Sequence, residues 1–161
     1  MFVVDGYNAI RRVERLRRVE ARGGLEAGRK ALLTAIVSSG VLGSHRVVVV
    51  FDGSSEVQPS ERSPHRSLTV RYSRAPENAD RAIVSFVGRR GRDVETVVVS
   101  ADEELSFAVK GLGATVVAPE RWSVLQLPRR RKRSAESRSS EKPTATSADV
   151  AYWLEIFEDE D

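Results

Sequence analysis

Apolar runs recur along the chain at intervals long enough to hold a helix between neighbours. Phe2-Val3-Val4 runs into Asp5, Val47-Val48-Val49-Val50-Phe51 into Asp52, and Val97-Val98-Val99 into Ser100, while Ala114-Thr115-Val116-Val117 forms a fourth run. Each is short, mostly β-branched and free of polar alternation, as a strand covered on both faces must be. Leu68-Thr69-Val70-Arg71-Tyr72 alternates instead, which suits an edge strand. The intervening stretches read as helices: Leu25 to Ser39, with Leu25, Leu32, Leu33 and Ile36 near one face; Asn78 to Arg90, with Ala79, Ile83, Phe86 and Val87; and Glu103 to Leu112. Strands alternating with helices predict an α/β domain over residues 1–128, built on a central parallel sheet of four or five strands.

The pattern changes after residue 128. Arg129-Arg130-Arg131-Lys132-Arg133 is a run of cations, and from there to Thr146 the only apolar residues are Ala135 and Ala145, so 129–146 is expected to be a flexible linker. In 147–161, Val150, Trp153, Leu154 and Phe157 recur at helical spacing behind Ser147, which predicts a short capped amphipathic helix ending in Glu158-Asp159-Glu160-Asp161.

Composition narrows the chemistry by exclusion. A chain of 161 residues has room for one domain with a sizeable core. The absence of cysteine removes disulfide scaffolds, iron–sulfur centres and thiol nucleophiles, and with only His45 and His65 a zinc enzyme is a poor fit. Both histidines are expected to be structural or solvent-exposed. No apolar stretch approaches the roughly 18 residues of a membrane span, and Met1-Phe2-Val3-Val4-Asp5 lacks the basic start of a secretory leader. A soluble, cytoplasmic protein with no membrane partner is expected. Neither a phosphate-binding Gly-rich loop with Lys-Ser/Thr nor a G-x-G-x-x-G after the first strand is present.

Acids remain as the candidate chemistry. In an open parallel sheet, ligands sit beyond the carboxyl ends of the strands. Asp5 and Asp52 terminate two strands, Asp102 follows a third by two residues beyond Ser100, and Asp80 falls in the first turn of the helix that precedes that third strand. One Asp at the end of an element is ordinarily a cap or turn former. Four at one rim form a different kind of feature, because close carboxylates repel unless a cation lies among them. Mg²⁺ or Mn²⁺ suits such an oxygen set, and the chemistry it serves is hydrolysis of a phosphodiester. Asn8 is expected either as an N-cap or as a polar group orienting the site.

Val4-Asp5-Gly6-Tyr7-Asn8-Ala9-Ile10, Val48-Val49-Val50-Phe51-Asp52-Gly53 and Asn78-Ala79-Asp80-Arg81-Ala82-Ile83 resemble the signature segments of YacP-like NYN-domain proteins, part of the wider PIN-like nuclease fold. The resemblance implies a three-layer PIN-like domain and a metal-dependent endoribonuclease, with Asp5, Asn8, Asp52 and Asp80 on the family's acidic pocket. Ser100-Ala101-Asp102 is similar to the (Thr/Ser)-x-Asp segment of PIN-like nucleases, which adds Asp102 to that catalytic set. Asp5, Asp80 and Asp102 are then the expected metal ligands, with Asp52 a further ligand or a water-positioning base. The alternative from another class is a non-catalytic RNA-binding or ribosome-associated adaptor. A phosphatase-like hydrolase of small phosphate esters is a third.

An acidic site needs flanking cations to accept a polyanion. Arg11, Arg12 and Arg15, after the first acid, and Arg74 and Arg81, near the third acidic segment, are the expected RNA contacts, with Arg11, Arg15, Arg18 and Arg22 spaced to share one helical face. The polar loop from Gly53 to Arg66 is expected to border the cleft. The partner is expected to be mRNA, rRNA or tRNA, with possible ribosome association. The near balance of charge, +3 overall, does not oppose this, because residues 1–128 carry 19 basic against 15 acidic residues and the remainder 7 against 8. The acidic tail either competes with RNA for a basic groove or docks its Trp153/Leu154/Phe157 face on this domain or on a protein partner.

Overall fold

Every residue of the second strand is buried, and the reason is visible in where its side chains go. In the computed structural model, which describes residues 1–53, 65–74, 76–92 and 94–126, this strand is β2 (Val47–Phe51). Val47, Val49 and Phe51 enter one apolar cluster, Val48 and Val50 another. β1 (Phe2–Asp5) divides likewise, with Val4 on the first side and Val3 on the second. Successive side chains on a strand point to opposite faces, so a sheet with helices on both faces needs apolar residues at every position.

The sheet has five parallel strands in the order β3-β2-β1-β4-β5, where β3 is Leu68–Tyr72, β4 Val97–Val99 and β5 Thr115–Val117. The alternating strand is at an edge, as its pattern predicts. One face is covered by α1 (Gly6–Arg12) and α2 (Glu14–Ser38), through Ile10, Leu16, Leu32 and Ile36. The other is covered by α3 (Ala79–Arg90) and α4 (Glu103–Gly111), through Ile83, Val87, Leu105 and Val109. Because the chain moves outward from β1 in one direction and then returns to lay β4 on its other side, the strand order reverses between β1 and β4. The carboxyl ends of those two strands form the crevice where such sheets place their ligands.

Three local features depart from the sequence pattern. Val13 adopts an extended conformation (φ −88°, ψ 111°) and ends α1, so the arginine stripe from Arg11 to Arg22 does not ride on one continuous helix. Gly24, at φ 80° and ψ −176°, breaks α2 into two helical segments. A Cβ placed on Gly28 would come within 3.1 Å of the Glu20 Cβ, a contact that eight residues of straight helix would not permit, so the second segment doubles back along the first. Finally, the residues described beyond β5, up to position 126, pack onto the domain. They make two short 3₁₀ turns (Pro119–Arg121 and Ser123–Leu125) that bury Trp122 and Leu125 in the first cluster, with the Trp122 ring 5.2 Å from Phe2.

All described residues belong to the first of two units, Met1–Pro128. The expected linker and amphipathic tail in 129–161, and most of the loop between Gly53 and Arg66, lie outside the described residues. Among the described residues no helix is long and apolar enough to cross a membrane.

Candidate functional site

Asp5 is the last residue of β1 and at the same time the N-cap of α1. Its Oδ1 accepts from the Asn8 backbone N–H (3.3 Å) and its Oδ2 from the Ser100 hydroxyl (3.1 Å), so both oxygens are engaged while the side chain is almost fully enclosed. The turn from β1 into α1 requires glycine at position 6. A Cβ there would fall 2.3 Å from the Phe51 ring, so it is close approach rather than an unusual dihedral that selects the residue. Asn8 lies inside α1 and is not its cap. Its Oδ1 accepts from the Ala101 N–H (2.9 Å), which ties the loop after β1 to the loop after β4.

The same two loops are tied a second time by Ser100. Its hydroxyl donates to Asp5 and accepts from the Asp102 N–H (3.1 Å). Asp102 caps α4, with Oδ1 accepting from the Leu105 N–H at 2.7 Å. Asp80 stands in the first turn of α3, behind the Asn78 cap. Asp52 follows β2 and is exposed. The Ser73 hydroxyl donates to its Oδ1 (2.7 Å), and Ser73 also accepts from the Gly53 N–H (3.2 Å). Asp5, Asp52 and Asp80 line one cleft of about 510 Å³, together with Asn8, Arg11 and Arg12.

Burial and mutual repulsion raise two of these acids. Burial pushes the Asp5 carboxyl up to about 6; the hydrogen bonds from Asn8 and Ser100 oppose this, and the charges of Asp80 and Asp102 add to it. Asp80 is also raised, first by burial and then by the charges of Asp102, Asp52 and Glu104. Four of the five predicted catalytic residues are thus carboxylates that repel one or more of the others, and the fifth, Asn8, braces Asp5 against the loop after β4. Among the described residues no group of three or more carboxylate, imidazole or thiolate side chains is arranged to hold a metal ion. The acids are within electrostatic reach of one another without closing into a cage of direct ligands. Oxygen donors raised by burial and by one another fit the chemistry of a hard cation, and Mg²⁺ in particular is commonly held by one or two carboxylates while keeping several waters.

The predicted RNA-contacting arginines separate. Arg11 and Arg12 line the acid cleft, Arg11 with its guanidinium 5.6 Å from the Tyr7 ring centroid and Arg12 in an ion pair with Glu120 (2.7 Å). Arg74 is exposed just after β3. Arg81 is exposed on α3 and lines a groove between α3 and α4 that also holds Asp80 and Glu104. Arg15 is directed elsewhere. Its guanidinium donates to the Leu125 carbonyl (3.2 and 3.3 Å) and lines a different groove, beside Gly40 and His45. Tyr7, Arg29, Tyr72 and Ser100 at the site were not anticipated from sequence. Only Tyr7 and Ser100 had a local signal, since each lies two residues from an acid at the carboxyl edge of the sheet.

A parallel sheet of this order, with acids gathered where its strand order reverses, defines a PIN-like α/β domain. The chain belongs to the YacP-like NYN domain family, whose model matches residues 2–153, and NYN domains are in general nuclease-like and RNA-related. Its fold is similar to the crystal structure of Rae1 (YacP) from Bacillus subtilis, at a TM-score of 0.61 and 24% identity, covering 74% of this chain and 68% of that one. A point mutant of the same Bacillus subtilis protein matches at a TM-score of 0.60 and 24% identity, covering 73% and 69% of the two chains. No curated protein matches the chain.

Proposed function

We propose that this chain is a metal-dependent endoribonuclease that hydrolyses RNA phosphodiester bonds at the cleft between the ends of β1 and β4. The observation that carries the reading is Asp5: a carboxyl enclosed by protein, held by two hydrogen bonds, and pushed up to about 6 while Asp80 and Asp102 press further negative charge on it. A buried acid facing other acids costs stability, and such costs concentrate at functional sites. One or two of Asp5, Asp80 and Asp102 would hold a divalent ion, Mg²⁺ or Mn²⁺, directly, with water completing its shell and linking it to the rest. When bound, that ion supplies charge neutralisation at a phosphoryl oxygen and acidifies a water.

The chain's own residues supply the rest. Ser100 and Asn8 fix Asp5 and the β4 loop in one geometry, so that Asp5 and Asp102 keep their relative positions as charge accumulates. Asp52, oriented by Ser73, is exposed at the cleft and is the base that accepts a proton from the attacking water. Arg11 attracts the polyanion toward a rim that would otherwise repel it.

Mixed RNA incubated with the full chain, with and without Mg²⁺ or Mn²⁺, tests the proposal. Cleavage that requires the metal and is lost in Asp5→Asn and Asp80→Asn supports it. Cleavage that persists in both variants overturns it. RNA binding without turnover under either metal overturns it in favour of the adaptor.

A further inference from the structure

The acid cleft has a second wall, made of aromatic rings with a guanidinium laid on it. Phe51 is buried at the centre, with the Tyr7 ring 5.1 Å away on one side and the Tyr72 ring stacked at 5.6 Å on the other. Arg29, from the second segment of α2, is half-buried against this wall. Its Nη1 donates to the Tyr7 hydroxyl (3.0 Å), and its guanidinium lies 5.9 Å from the Tyr72 ring centroid. Arg29, Tyr7 and Tyr72 line the same cleft as Asp5, Asp52 and Asp80.

Three elements converge to hold this one cation. The left-handed break at Gly24 turns the chain back so that Arg29 reaches the cleft, and Gly28 lets its helix approach α1 closely, since a Cβ there would lie 3.3 Å from Ile10. Tyr7 is two residues beyond Asp5, so the hydroxyl that holds the guanidinium and the carboxyl at the acid wall ride on one turn. A flexible lysine would serve for diffuse attraction. A planar fork of donors, ordered by a hydroxyl and a ring face, suits a phosphate at a defined place, because guanidinium matches phosphate geometry with paired N–H groups and loses little freedom when already oriented.

We propose that Arg29 is a phosphate clamp: it binds an RNA backbone phosphate adjacent to the one at the acids, and Tyr7 is its positioning residue. The proposal rests on the ribonuclease reading and adds to it the residue that sets where the strand lies. It also gives the strand a path across the cleft, between the acid wall and the aromatic one.

The test is binding of a fluorescein-labelled single-stranded RNA 12-mer to the full chain in EDTA, so that turnover does not intervene, over a range of KCl concentrations. Arg29→Ala and the near-isosteric, uncharged Arg29→Gln are expected to weaken binding about tenfold. Both are expected to lower the slope of log K against log[salt] by about 0.7, the loss of one phosphate contact. Arg29→Lys should restore the slope and only part of the affinity, which a merely structural arginine would not do. Tyr7→Phe should keep the slope and weaken binding by less than Arg29→Ala. If Arg29→Gln, folded by circular dichroism, binds with wild-type affinity and slope, the clamp is overturned and the ribonuclease reading stands. A wild-type chain that binds no RNA in either EDTA or Mg²⁺ overturns both.

Discussion

The two walls of the cleft are built on opposite terms. The acid wall sets Asp5 and Asp80 in mutual repulsion, with the charge of Asp102 pressing on both, so these carboxyls cost stability. The aromatic wall is favourable in itself: Phe51 is buried between two tyrosines, and a cation rests on the ring face and hydroxyl of its neighbours. A packed, self-supporting wall can hold geometry while the other absorbs charge. The acid wall costs stability, and its residues are the ones a stability optimiser would replace.

The contrast breaks most sharply at Asp80. Asp80→Asn should lower metal-dependent RNA cleavage by about 10²-fold or more while leaving the fold intact, measured as initial rates under saturating Mn²⁺. Next in size is the pH dependence of stability. The folded chain keeps the Asp5 proton up to about pH 6, whereas the unfolded chain releases it near the ordinary value of 3.8. The folded state therefore binds the extra proton between those values, and metal-free stability falls as pH rises through that window, by at most roughly 3 kcal/mol. Urea unfolding from pH 3.5 to 7 reads it, and Asp5→Asn should flatten the descent.

Smaller effects sharpen the account at the joints between walls. Gly6→Ala drives a methyl into the Phe51 ring, and overpacking of this kind costs about 1–3 kcal/mol in the same urea titration. It should also displace Asp5 and lower turnover, because the turn it distorts carries that carboxyl. Asn8→Ala removes the bond to the Ala101 N–H and should cost about 1 kcal/mol, with a loss of activity that exceeds what its stability change explains.

The acid wall was legible in the sequence because each of its members sits beside a local signal. Strands buried on both faces announce themselves as unbroken runs of valine, and their carboxyl ends are the next residues along the chain. Asp80 and Asp102 adjoin helix starts that the same pattern locates. The aromatic wall was not legible. Arg29 reaches the cleft only because Gly24 reverses the helix, and Tyr72 only because the edge strand pairs with β2; both are tertiary facts with no local mark. The arginine stripe was legible only in part: Arg15, Arg18 and Arg22 line one groove on α2, and Arg11 stands apart. Helical spacing joins Arg11 to Arg22 on paper, but the extended Val13 ends the first helix, and Arg15 turns to the Leu125 carbonyl. That carbonyl is available only because Trp122 and Leu125 fold into the core, which a run of mixed polarity after β5 did not reveal.

The central claim, that the acid wall is made for a divalent cation, is tested most directly by thermal unfolding of the wild type and Asp5→Asn at pH 7.5, with and without Mn²⁺. Without metal, Asp5→Asn should melt higher than the wild type, because it removes a buried charge that other carboxylates repel. With saturating Mn²⁺ the wild-type midpoint should rise and that of Asp5→Asn should stay where it was. A wild type that does not respond to Mn²⁺, or a variant that responds equally, would contradict the account.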